Sequence, residues 1–565
     1  MTDAPDLIVT QARVWLGHGG SADWAEAFAC RNGRIVALGT AAEIEALSGP
    51  STRLLRLSGA TVLPGLNDTH LHPLLAGLRK TECRIPQGSD MAVFEAAVRE
   101  AMASRPPGGW ITGGQWDAGT LGHVPDRAEL DALTGDVPAL LNDTSGHSAL
   151  ANTAALKIAG LTPETPDPPQ GIIERRADGS LSGVLRERAI ELVQTHQPKP
   201  THEAMCRALK AAHEDLLSFG ITSCTEASIG MIAGAEAELR VYRDVIAAGE
   251  LHQRTRIFLV WEPDDPAAEN IIARRHEYAH PLLDLDCIKI HLDGVPTDGH
   301  TAAMLEPYEE VMEGRDDEAA RFGLLLQDPE TLARAVTRFD AAGLQVKYHA
   351  VGDRAVRMGL DAIAAARTAN GPGGRRHEIG HSTFVDGQDI GRGRDLGAVF
   401  ELSPYLWGPC PINDDITRAV GAARIERIWP FRQIIDDGAM VIAGSDWPVV
   451  DDVNPWPAIE TLLTREAPGG SSGSFGRSQA ITLNEAIDLF TLWPARVLGQ
   501  SDRLGRLAPG YLADFIVLDR NPFEIPVRNL HEVRCLATFV NGQDVNGRVK
   551  VSQRAAQNVA TLGLE

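Results

Sequence analysis

Between residues 61 and 445, short β-branched runs alternate with amphipathic helical stretches, and no other feature of the sequence restricts the fold so strongly. Eight runs occur: Thr61 to Leu66, Ile221 to Ala227, Arg256 to Trp261, Cys287 to Asp293, Leu344 to Val351, Arg376 to His381, Ala398 to Tyr405, and Met440 to Ser445. Segments such as Glu330 to Ala341, Asp353 to Ala366 and Ile416 to Ile435 place apolar residues at helical spacing between them. A strand followed by a helix and a second strand forms a parallel pair, because the crossover helix must return the chain to the same edge. Eight such units predict an α/β fold, a TIM-type (β/α)8 barrel; an open doubly wound sheet is the competing topology.

About 150 residues separate the first run from the second, far more than a crossover needs. Residues 78–215 therefore read as an insertion after barrel strand one that caps the barrel mouth, punctuated by Arg105-Pro-Pro-Gly-Gly109 and Pro163 to Gly171. The two ends of the chain read as short strands, with Asn32-Gly33 and Asn541-Gly542 as two-residue hairpin turns, since both positions tolerate positive φ. Edge strands need partners, so residues 1–60 and 500–565 are expected to build one small β-sandwich, leaving 61–499 as the barrel unit with its insertion.

Composition narrows the partners. The 53 Lys and Arg against 76 Asp and Glu give a net charge of −23, which repels phosphate backbones and anionic lipid. Neither nucleic acid nor a membrane is an expected partner; a small-molecule substrate is. The seven cysteines are scattered and never form a CxxC pair, which speaks against both a disulfide framework and a thiolate metal site. The acidic N-terminus has no apolar signal segment, so a cytoplasmic location is expected, and a homodimer is the expected assembly.

The chemistry concentrates at strand ends. In Pro64-Gly-Leu-Asn-Asp-Thr-His70-Leu-His72 the histidines are two apart, so on a strand both point the same way and can hold one metal ion. The fourth run carries Lys289 and closes on Asp293-Gly294, and the fifth carries His349 before Gly352-Asp353. The sixth ends at His381, with His377 four residues earlier, and the eighth ends at Asp446. Each alone has an ordinary structural explanation. Their coincidence at one end of one barrel, where such folds place catalytic groups, does not.

PGxxDxHxH on strand one, KxxxDG on strand four, HAxGD on strand five, a histidine closing strand six and GSDxP on strand eight resemble the amidohydrolase superfamily. Within it the chain is most similar to the YtcJ-like hydrolases of amidohydrolase family 3, which include N-substituted formamide deformylases. The likeness spans nearly the whole chain, including Asn32 to Gly39, Gly505 to Asp514, and the segment Gly146-His147-Ser to Asn152 in the insertion. The resemblance implies a binuclear centre of two divalent ions, expected to be Zn2+. His70, His72 and Asp446 would hold one ion, His349 and His381 the other, and a carboxylated Lys289 would bridge them. The activity implied is hydrolysis of an amide-type C–N bond, N-formyl or N-acyl, by hydroxide held between the ions. Asp446 would carry the proton to the leaving nitrogen, and His147 would donate to the oxyanion or hold substrate. Asp293 and Asp353 fit capping or supporting roles.

Two departures bear on substrate. Trp447 stands where a smaller residue is common, and Ser403-Pro-Tyr405-Leu-Trp407 replaces a Gln-Pro-His type of segment. Tyr405 and Trp447, with Trp110, Trp116 and Trp407, suggest an apolar or aromatic binding site. The alternatives are a mononuclear aminohydrolase that deaminates a ring, which Lys289 disfavours, and a metal-free scaffold, which the filled ligand positions disfavour.

Overall fold

The computed structural model describes residues 4–17, 24–297, 299–310, 317–403, 405, 407–547, 549–552 and 559–562. Residue 404 in the seventh run, and 548, 553–558 and 563–565 in the C-terminal segment, lie outside them.

Eight parallel strands form one sheet in chain order: β1 (Leu66–Leu71), β2 (Ile221–Ile229), β3 (Arg254–Val260), β4 (Leu283–His291), β5 (Gln345–Ala350), β6 (Glu378–His381), β7 (Val399–Leu402) and β8 (Met440–Ala443). The sheet curls until its ends meet. Leu71 bridges Trp447, and the amides of His72 and Asp446 donate to the carbonyls of Trp447 and His70, both at 2.7 Å.

The first strand run is displaced from its expected place. Thr61–Pro64 is not a barrel strand; it pairs antiparallel with Phe515–Leu518 in the terminal β-domain, and the barrel begins after Gly65. A Cβ at Gly65 would lie 2.2 Å from Thr222 Oγ1, so only glycine lets the chain press against β2 as it passes from one domain to the other. The helical segment expected over Ile416 to Ile435 also divides, into Pro411–Val420, Ala422–Ile425 and Phe431–Asp437. Gly421 (φ 83°) and Trp429 (φ 46°) are left-handed, which ends each piece before the next begins. The other two segments appear as Pro329–Ala341 and Asp353–Asn370, and both pack against β5.

Both Asn-Gly turns form as read, with Asn32 and Gly33 at φ 49° and 73°, and Asn541 and Gly542 at 50° and 72°. The terminal β-domain is two six-stranded sheets containing strands from both ends of the chain. Phe28, Phe515 and Phe539 fill its core, the last two stacked at 4.3 Å.

Between β1 and β2 lies a third six-stranded sheet, whose spatial order is Gly171–Arg175, Leu181–Glu187, Ser148–Ala151, Leu140–Asp143, Gly113–Trp116 and Cys83–Arg84. The boundary at 215 falls inside helix His202–Ser218, which packs against Pro73–Arg79 and against β2. All seven cysteines are free thiols. Among the described residues, no helix is long and apolar enough to cross a membrane.

Candidate active site

The strand ends put their polar side chains into one cluster at the C-terminal mouth of the barrel. At the end of β1, His70 is 1% exposed, and its Nδ1 donates to Glu401 Oε2 of β7 at 2.6 Å. Burial, reinforced by the nearby Lys289 and Lys347, holds its pKa well below the usual imidazole value. His70 is therefore neutral, with its lone pair on Nε2, which lies 3.6 Å from Asp446 Oδ1. Two residues on, His72 turns Nδ1 to Glu226 Oε1 of β2 (3.3 Å) and Nε2 to Asp446 Oδ1 (3.2 Å). Burial opposes its charge, but the two carboxylates prevail and raise its pKa to about 9.

His381 and Asp446 both leave their strands in the left-handed region, at φ 66° and 60°. Such backbone costs about 1 kcal/mol or more per non-glycine residue and collects at functional sites. His381 Nδ1 is 2.9 Å from Ser403 Oγ and 3.8 Å from Asp446 Oδ2, while its Nε2 is buried without a hydrogen-bond partner. The ligand-capable atoms of His70, His381 and Asp446 all lie within 4.8 Å of one another. The His349 ring is 4.3 Å from that of His381, and its Nε2 faces the Gly294 carbonyl at 3.3 Å. His377 lies elsewhere, between Asp340 Oδ1 (3.0 Å) and the Val346 amide (3.0 Å).

Lys289 is 1% exposed, and its side-chain amine makes no hydrogen bond or ion pair with the described residues. Burial and the charge of Lys347 push its pKa down to about 7. Lys347, its register partner on β5, is held very differently: its Nζ contacts the Thr69 carbonyl (2.7 Å), Glu378 Oε2 (3.0 Å) and Glu401 Oε2 (3.5 Å). One buried lysine is thus paired with two carboxylates, and the other has no carboxylate within ion-pair distance.

The capping sheet supplies His147. Its Nδ1 donates to Glu187 Oε2 at 2.9 Å, and its ring lies 4.8 Å from that of His349. Burial works against its charge, yet Glu187 raises its pKa to about 9. Asp293 accepts from the amides of Ala303, Val351 and Gly352 at 2.8 to 2.9 Å, and Asp353 accepts from Leu305 N at 2.7 Å, so both fasten loops.

The aromatic residues do not gather into one pocket. Trp110 and Trp116 pack in the core of the capping sheet, where Trp116 Nε1 donates to the Leu141 carbonyl. Trp407 is buried against Phe431, and Tyr405 contacts Trp407, Phe490 and Asp68 Oδ2 (3.4 Å). Trp447 is buried beside Asp446.

Sequence reasoning missed the supporting carboxylates Glu226, Glu401 and Glu187, together with Lys347 and His291, whose ring is 5.7 Å from His349. A signal for Glu401 was present, since it is the one charged residue in the buried strand Val-Phe-Glu-Leu.

Three neutral imidazoles, a carboxylate, an unpaired lysine and the orphaned Nε2 of His381 form a donor set that suits a divalent cation of zinc's type.

Known proteins resemble this chain over nearly its whole length. The model of the amidohydrolase family matches residues 55–545. Protein LONG AFTER FAR-RED 3 of Arabidopsis thaliana is 30% identical over 96% of this chain and 91% of its own length. N-substituted formamide deformylase of Arthrobacter pascens is 27% identical over 96% of this chain and 98% of its own. The crystal structure of a metal-dependent hydrolase from Pyrococcus horikoshii superposes with a TM-score of 0.70 at 22% identity, covering 92% of this chain and 99% of its own, and so shares the fold.

Proposed function

The chain belongs to the amidohydrolase family of hydrolases acting on carbon–nitrogen bonds, and from that premise we propose that it cleaves an amide-type C–N bond in a small substrate. The observation that carries the reading is the meeting of His70, His72, His381 and Asp446 with the unpaired Lys289 beneath a histidine from the cap. His70, His72 and Asp446 would hold one divalent cation, with His72 giving up the proton that Asp446 and Glu226 favour; His349 and His381 would hold a second, and Lys289, carboxylated, would bridge the two; zinc suits these donors. When bound, the cations would supply Lewis-acid polarisation of the scissile carbonyl and a water whose pKa is lowered to about 7.

The side chains supply the rest. Lys289 can become an anionic ligand because burial and the nearby Lys347 lower the pKa of its amine and no carboxylate lies within ion-pair distance of it. Asp446 takes the proton of the attacking water and returns it to the leaving nitrogen, yielding a carboxylic acid and an amine. His147 donates to the developing oxyanion, a role its Glu187 partner suits by favouring the charged ring. Tyr405 and Trp447 are proposed to bound the apolar part of the substrate.

One observation favours a second reading. The tightest ligand group is three residues, His70, His381 and Asp446, which is what a single-ion aminohydrolase needs. Metal analysis combined with assays on N-formyl amines, N-acyl amino acids, aromatic amides and ring amines separates the two. Two ions per chain with amide cleavage lost to chelator supports the proposal. One ion with ammonia release supports the alternative.

A further inference from the structure

Glu187 carries costs that folding does not recover. Its backbone is left-handed (φ 49°), its side chain is 5% exposed, and Oε1 is buried with no hydrogen-bond partner. A half-satisfied carboxylate taken out of water destabilises a fold, so its presence calls for another explanation. A further constraint falls on its neighbour. A Cβ at Gly294 would stand 2.0 Å from Glu187 Oε1, so the loop after β4 admits this carboxylate only because it is glycine there.

What Glu187 does hold is His147. The two residues follow the register pair Ser148 and Arg186 at the ends of adjacent cap strands. The Glu187 amide donates to the His147 carbonyl at 2.9 Å, and the Glu187 carboxylate accepts from the His147 ring at 2.9 Å. With Nδ1 engaged, Nε2 is the nitrogen left free, on a side chain 19% exposed and 4.8 Å, ring to ring, from His349. The same Gly294 that makes room for the carboxylate offers its carbonyl to His349. The carboxylate is thus wedged between the cap histidine and the barrel loop.

We propose that Glu187 is a positioning residue that docks His147 over the reaction centre with Nε2 facing inward, and that Gly294 is the gap that admits it. The proposal rests on the reading of His147 as a substrate-contacting residue. Two substitutions probe this contact: E187Q keeps the volume and an acceptor oxygen but removes the charge, and E187A removes the carboxylate altogether, whereas a Cβ at Gly294 would also stand 2.2 Å from Thr301 Oγ1 and so disturb more than Glu187.

In the metal-loaded full chain each should lower kcat about 10- to 100-fold, the range for an orienting partner, with KM within about threefold. Metal content and melting temperature should hold, and adding either substitution to H147N should cost no further activity, because both act through His147. A readout independent of substrate is the 15N and Nδ1-proton signature of His147 in histidine-labelled protein, assigned with H147N, which E187A should abolish and E187Q should shift. Unchanged kcat, a fall in melting temperature matching the fall in activity, or a signature that persists in E187A would each overturn the proposal. A wild type inactive on every amide, with the signature still lost in E187A, supports the docking and rejects the amide reading.

Discussion

Replacing Glu401 with glutamine tests how the barrel prepares His70 as a ligand. Glu401 is fully buried, with Oε2 2.6 Å from His70 Nδ1 and 3.5 Å from Lys347 Nζ. Glutamine conserves volume and still offers His70 an oxygen; what disappears is the negative charge that makes the imidazole a stronger ligand. A carboxylate in this position is worth about 10- to 100-fold in metal affinity, or about 1.4 to 2.7 kcal/mol. The competing effect is on folding. At an effective dielectric near 20, the lost Lys347 attraction is about 5 kcal/mol gross, but the cost of burying the Glu401 charge vanishes with it. Lys347 also keeps Glu378 at 3.0 Å and the Thr69 carbonyl at 2.7 Å, so the variant should fold. Titration against a fluorescent zinc chelator, with melting curves of metal-free protein beside it, separates the two effects. Affinity reduced 10- to 100-fold with a small change in metal-free melting is expected. Affinity within twofold of wild type would refute the reasoning.

Other substitutions probe neighbouring steps. Asp446→Asn should lower kcat by about 10²- to 10⁴-fold, the usual worth of a proton-transfer group, measured on protein of known metal content. Lys289→Ala should lose bound metal and activity, and short-chain carboxylic acids should restore part of both; full activity without them would exclude a bridging role. Far from the mouth, Asp340 accepts from Arg367, Asn370 and His377. Burial alone would raise its pKa, but these partners hold it at about 2 against the ordinary 3.8. A depressed carboxylate stabilises the fold above its unfolded pKa and stops doing so as pH falls through the folded one. Asp340→Asn should therefore cost about 2 kcal/mol above pH 4, a gap that narrows toward pH 2, with kcat unchanged. Denaturant melts across pH check this.

What could be read from the sequence was what is local. The two Asn-Gly turns, seven of the eight strand runs and the histidine pair at 70 and 72 each depend on residues within one element. What could not be read depends on contacts between distant segments. His70 finds Glu401 across 331 residues, His72 finds Glu226 across 154, and His147 finds Glu187 across 40. Hydropathy favours Thr61–Pro64 as the strand, whereas the barrel strand Leu66–Leu71 is buried yet mostly polar, and only the close approach of Gly65 to Thr222 explains where the domains part. Tryptophan content suggested an aromatic pocket, yet Trp110 and Trp116 serve the cap's own core, since a sheet inserted on this scale needs large side chains of its own to bury.

The central claim is that these strand ends bind metal, and crystals grown with zinc and measured at its absorption edge test it most directly. Anomalous density should appear within about 2.0 to 2.2 Å of the His70, His72, His349, His381 and Asp446 ligand atoms, with carboxylate density continuing from Lys289 Nζ. A map from fully zinc-loaded crystals with no peak among those side chains would contradict it.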